Sequence, residues 1–183
     1  MGTAVDPALT WTLAIALAAI MAVSAAMKLT AMGEFAAALE NYRLLPALLL
    51  TPVAWLIPAL EAIAAAGLLI AATRAAACVL TAALVATFTT AVAINLARGR
   101  TEIDCGCFGP ALRPTLSGWL IVRNAMLMAA AAAAAAAPRG RPLLLADFVT
   151  IGCGAATLVV LYASMNYLLA NAPRLRRLER LHA

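Results

Sequence analysis

Two cysteines separated by one glycine stand in the stretch IDCGCFGP, residues 103–110. Cys105 and Cys107 are close enough in sequence to bring their Cα atoms within the roughly 4.4–6.8 Å that a disulfide needs. Gly106 makes the bend accessible, because it accepts backbone angles closed to other residues. A ring that small is strained, and strained disulfides are the labile or catalytic ones. The chemistry this spacing points to is a dithiol/disulfide pair that exchanges electrons with a partner. Asp104 precedes the pair, and Phe108 and Gly109 follow it. The acids Glu102 and Asp104 raise the thiol pKa, whereas Arg98, Arg100 and Arg113 lower it.

Other chemistries fit the same residues less well. Structural zinc takes about four nitrogen or sulfur ligands, and the chain has one histidine, His182, far from the pair. Copper(I) held by Cys105, Cys107 and Met126 or Met128 is chemically sound but needs a distant thioether, so no metal is expected. A turn that only docks a partner remains the non-catalytic alternative, so enzymatic activity, as a thiol–disulfide oxidoreductase, is left open. Cys78 and Cys153 fall at depths that differ by roughly 10 Å along their helices, beyond disulfide reach. They read as small packing residues, or as a relay reached only by helix movement.

The elements that must position this turn lie in lipid. Of the 183 residues, 66% are hydrophobic and 11% charged, and mean hydropathy is +0.98. Soluble domains carry about twice that charge, so the chain is read as one integral-membrane domain over residues 1–183. Five spans are predicted, over Leu9–Met27, Val53–Ala72 (with an entry through Leu48–Leu50), Ala75–Leu96, Leu116–Ala137 and Leu143–Leu169, with a basic tail over 171–183. The residues before the first span hold Asp6 and no basic residue, which favours a retained span over a cleaved leader. Pro46, Pro52 and Pro58 predict an irregular start to the second span. The alanine run 129–137 reads as closely packing helix. Between spans one and two, Phe35, Leu39 and Tyr42 share one helical face, which predicts a short interfacial helix, either covering a site or simply connecting.

Charges inside spans are costly and paired or functional. Glu61 and Arg123 are therefore expected to be neighbours, while Asp147 lies near the opposite surface, close to Arg139 and Arg141. Trp55 and Trp119 fall near the end that carries the cysteine turn, and Trp11 near the other. They read as aromatic-belt residues, or, for the first two, as the walls of a quinone pocket; no cofactor is otherwise indicated. Loop lysines and arginines number nine on the side of the turn, Lys28 among them, against three on the other. That bias places the turn in the cytoplasm.

The runs NLARGRTEIDCGCFGP and LSGWLIVRNAML closely resemble the methylamine utilisation protein MauE family. AALENYRLLP and PALEAIAAAGLL resemble that family and the wider DoxX-like membrane group. The likeness extends across most of the chain and is strongest over residues 9–137, leaving the C-terminal span, 143–170, less covered. It implies a multi-pass protein of the inner (plasma) membrane, acting in maturation, disulfide formation or export of the methylamine dehydrogenase β subunit. It implies a thioredoxin-like, MauD-type partner and an exported, disulfide-bearing client, with the bilayer as surroundings and no nucleic acid. Cys105 and Cys107 match the family's cysteine pair. The resemblance places the chemistry on the outer side, against the charge count.

Overall fold

The computed structural model describes residues 5–101, 103, 116–136 and 140–182, with side chains as far as residue 171. Among these, the regular structure is helical: α1 Pro7–Thr30, α2 Met32–Tyr42, α3 Ala47–Leu68, α4 Arg74–Ala97, α5 Gly118–Ala135 and α6 Leu145–His182. All except α2 are long and apolar enough to cross a bilayer, α6 over Leu145–Asn171. The predicted all-helical bundle with five spans and a short helix after the first is what the chain forms.

Helices α1, α3, α4 and α5 close a ring, each packed on its two neighbours, and α6 lies on the outer side of α1. Few residues of α6 are buried, while more than half of α1 is. Large apolar side chains such as Leu48, Ile63, Val79 and Leu161 face outwards, and Thr81, Asn95, Asn124 and Asn166 are buried. That inverted distribution is the one lipid favours, since an unsatisfied polar group facing hydrocarbon costs several kcal/mol. Threonines within the spans obey the same rule. Thr81, Thr87, Thr89 and Thr90 each donate to the carbonyl four residues back.

Helix boundaries reflect local chemistry. Asp6 caps α1 by accepting from Ala8 N at 2.8 Å, and Pro7 occupies the first turn, where no amide hydrogen is needed. Pro46 precedes α3 and Pro52 and Pro58 lie inside it, yet the helix runs unbroken from Ala47, so the entry expected to be irregular is regular helix. This span also ends at Leu68, short of the predicted Ala72. α2 stops where Arg43 adopts left-handed φ 50°.

Small residues let the ring close tightly. Ala14 and Ala18 of α1 meet Leu68, Ala77, Cys78, Ala131 and Ala134, so part of the alanine run is core. A Cβ placed on Gly67 would stand 2.9 Å from Ala77 Cβ, which brings α3 onto α4. At the end carrying the N-terminus, Arg141 bonds both Asp6 (2.8 and 3.0 Å) and Asp147 (2.7 and 3.0 Å), and Asp147 also accepts from Leu144 N. The same end carries Arg74, stacked on Trp11 at 4.6 Å.

Gly67→Val should destabilise the detergent-solubilised protein by about 1–3 kcal/mol through overpacking. Gly33→Ala, where nothing stands within 4 Å, should not lower its melting temperature. The Arg141 guanidinium holds the Asp6 carboxyl below its ordinary value of 3.8. Asp6 therefore stabilises the fold above about pH 3.8, and that contribution disappears as pH falls through the lowered value. A melting-temperature series across the acid range should show this small dependence, and Arg141→Gln should weaken it, leaving the part due to the Ala8 N–H.

Candidate functional site

At the opposite end the chain around the cysteine pair is held by described residues on both sides. Asn95 is fully buried in the last turn of α4, where its amide donates to Ala91 O. Gly99 takes φ 73° and turns the chain back. Arg100 then reaches across to α2, donating to Asn41 O at 2.8 Å, to Tyr42 O and to Asn95 Oδ1. A guanidinium is well matched to the unsatisfied carbonyls at a helix C-terminus. Leu116 N donates to Ile103 O at 3.2 Å, so the chain leaves and returns at one point. Ile103, Leu116 and Leu120 pack with Tyr42, Leu44 and Val92. Cys105, Gly106, Cys107, Asp104, Phe108 and Gly109 themselves lie outside the described residues, as do Glu102 and Arg113.

Beneath this end lies a buried polar network. Lys28 and Glu61 are each 2% exposed, and Lys28 Nζ meets Glu61 Oε1 at 2.5 Å. Ser24 Oγ accepts from Lys28 and donates to Glu61. The ammonium sits between Phe88 and Phe35, at 4.9 and 5.4 Å from their ring centres, a pair of cation–π contacts that offsets its lost hydration. Arg123, 4% exposed, donates to Asn124 Oδ1 and to Asn166 Oδ1 of α6, and faces the Tyr162 ring. Asn124 continues to Thr89 of α4. Lys28, Glu61, Arg123 and Asn124 line one cavity of about 30 Å³, room for one or two water molecules.

The structure thus brings Glu61 and Arg123 to the same cavity and gives Glu61 the ammonium of Lys28. Lys28 is therefore an interior residue of α1 and not the loop charge that the bias count assumes. Composition hides it, because it closes an apolar run; its place four residues after Ser24 is the local signal. Asn124, Asn166 and Thr89 carry no charge and escape a search for ionisable groups.

Cys78 is buried among Ala14, Leu17 and Ala77, whereas Cys153 is exposed on α6; both are free thiols. Asp147 pairs with Arg141. Trp55 and Trp119 face outwards, 58% and 39% exposed, and line neither of the two large apolar clefts. One cleft, about 510 Å³, opens between α1, α5 and α6 beside Arg123 and Tyr162. The other, about 480 Å³, opens between α2, α3 and α4, and Phe35, Leu39 and Tyr42 line it from α2. The face predicted for the short helix is the face that covers this cleft.

These features define a multi-pass membrane protein whose helix bundle encloses paired charges beneath one end. Comparison with known proteins makes the assignment specific. The family described as "Methylamine utilisation protein MauE" matches residues 6–137, and the chain belongs to that family. It is 42% identical to the methylamine utilization protein MauE of Paracoccus versutus over 164 residues, covering 89% of this chain and 88% of the relative. Identity to the Paracoccus denitrificans protein of the same name is 38%, covering 90% and 89%. A MauE protein of Methylorubrum extorquens is 44% identical over 82 residues, covering 43% and 42%. No solved structure matches.

The network predicts an asymmetry between single and double variants. Lys28→Met should lower folded yield severely, because breaking a buried pair costs about 3–5 kcal/mol. Lys28→Met combined with Glu61→Gln should recover part of that loss. Detergent size-exclusion profiles of the two variants give the comparison, and a double variant no better than Lys28→Met would contradict it.

Proposed function

We propose that this protein acts in methylamine utilisation as a membrane thiol–disulfide exchanger, serving the maturation of exported, disulfide-bearing proteins. The client by family likeness is the β subunit of methylamine dehydrogenase. A thioredoxin-like protein is the exchange partner, and the cell membrane is the site of action. Cys105 or Cys107 forms the mixed disulfide, and the other thiol resolves it. Asp104, Gly106, Phe108 and Gly109 are assigned supporting roles from their places in the sequence motif alone. The observation that carries this reading is the dithiol segment's anchorage. Arg100, Ile103 and Leu116 bring the chain entering and leaving residues 104–115 to one point on the bundle, which supports a segment offered to a partner. Family membership supports the pathway, and the Cys-Gly-Cys spacing supports the chemistry.

Serine substitution tests it. Cys105→Ser and Cys107→Ser should each abolish client maturation, and one of them should trap a mixed disulfide visible on non-reducing gels. A turn that merely docks a partner would tolerate either change, so full maturation by both variants would refute the exchange reading.

A further inference from the structure

The cleft between α1, α5 and α6 runs into the buried polar cavity. Ile20, Arg123, Leu127 and Tyr162 line both, so the two form one continuous space. Its polar end is small, about 30 Å³, and its body is large, about 510 Å³. Apart from Arg123, Tyr162 and Ser164, the walls of the body are apolar side chains. Helix α6 packs along α1 and, among the described residues, makes no comparable contact with α5. The body therefore opens towards lipid between α5 and α6. A volume of this size lies within the range of small-molecule sites, and an occupant enters from the bilayer.

Depth supplies the second argument. Arg123 stands in the second turn of α5, and its partner Asn166 lies near the end of the apolar part of α6. Both are therefore close to the membrane surface at the end of the bundle where α1 finishes. From that level the cleft descends to Leu13 of α1, Ala130 of α5 and Leu158 of α6. These stand seven or eight residues deeper than Ile20, Arg123 and Asn166 respectively, roughly 10–12 Å at 1.5 Å per residue. One leaflet contributes about 15 Å of hydrocarbon, half of the bilayer core. The space thus has the polarity profile of a single leaflet, with charge near the surface and hydrocarbon towards the midplane.

Charge identifies the polar group of the ligand. Two cations, Lys28 and Arg123, and one carboxylate, Glu61, line the cavity. However that carboxylate is shared, it offsets one positive charge, so among the described residues one positive charge is in excess there. Asn124 and Asn166, which accept hydrogen bonds from Arg123, are neutral. Excess charge inside a membrane is costly, and an anion delivered from the bilayer removes that cost. The cavity has room for one or two water molecules, so the anionic group is small. A carboxylate meets this condition and matches the fork of a guanidinium, whereas a glycerophosphate is too large. We infer that this cleft binds a long-chain fatty acid, with its carboxylate beside Arg123 and its chain between α1, α5 and α6. The inference stands apart from the exchange reading and involves neither thiol of the cysteine pair.

The test uses the full chain in phosphatidylcholine nanodiscs, with palmitic acid carrying a photoactivatable diazirine on its chain as the probe. Cross-linked peptides are mapped by mass spectrometry. Labelling should saturate, fall on the cleft-lining parts of α1, α5 and α6, and be displaced by unlabelled palmitate. Hexadecanol, which has the same chain and no charge, should displace it at least about tenfold less well, the difference one charged hydrogen bond makes. Arg123→Gln should erase that preference for acid over alcohol. Leu158→Trp and Met165→Trp, which fill the cleft from α6, should lower labelling about tenfold or more, whereas Ile57→Trp, in the other large cleft, should not. Each variant is first checked for a monodisperse profile. If Arg123→Gln does not fold, the comparison of acid and alcohol on wild type decides the matter alone. Equal displacement by palmitate and hexadecanol overturns the site, leaving a groove for lipid chains. Displacement by phosphatidylglycerol as effective as by palmitate also overturns it, because the recognised group is then a phospholipid head. Undiminished labelling in folded Leu158→Trp and Met165→Trp places the fatty acid elsewhere and overturns it as well.

Discussion

An ammonium held against a carboxylate in the interior of a membrane bundle is the constraint around which this fold is arranged. Either charge alone would be severely unfavourable there; together, with Ser24 bonded to both, they are tolerated. The contact joins the last turns of α1 to the middle of α3. It also governs the placement of α2, which begins only a few residues beyond Lys28 and folds back so that Phe35 covers the ammonium. Phe88 of α4 closes the other side. Four helices, α1 to α4, thus meet around one ion pair.

The two ends of the bundle use charge differently. Arg141, Asp6 and Asp147 form a cluster at the surface, where solvent and salt screen each bond and the net stabilisation is small. It ties the start of α1 to the approach to α6. At the other end, Arg100 directs its donors to backbone carbonyls at the end of α2 and to buried Asn95. These bonds involve neutral acceptors and no carboxylate. That end is held by the geometry of the helix ends on either side of residues 104–115.

Much of this was legible in the sequence because the relevant signals are local. Hydropathy locates the five spans, and a spacing of three and four residues identifies the buried face of α2. The lining of the α2 cleft by Phe35, Leu39 and Tyr42 results from that spacing. The features that were not legible depend on contacts between helices. Lys28 ends an apolar run, so charge counting assigns it to a loop, and only packing shows that α1 continues past it. The same limit applies to Trp55 and Trp119. Their depth is readable from sequence, but the direction in which they face is not, and the aromatic cleft is built from Phe35, Tyr42 and Phe88. Helix α6 runs to His182, well past the apolar segment, because arginines and leucines sustain a helix beyond the membrane as well as within it.

The run N-L-x-R-G-R before the cysteines divides into parts with different physical duties. Asn95 and Arg100 bond one another, Arg100 also bonds the end of α2, and Gly99 supplies the left-handed turn between them. These residues account for their own spacing through structure alone, with no chemistry required. Cys105 and Cys107 lie outside the described residues, and the duty assigned to them is the exchange chemistry proposed above. The buried charges raise a separate question. Leucine and methionine at positions 28 and 61 would be tolerated in many bundles, since apolar replacement of buried ion pairs is often neutral or stabilising. What compensates Lys28 and Glu61 here is Ser24, bonded to both, together with the Phe35 and Phe88 rings against the ammonium.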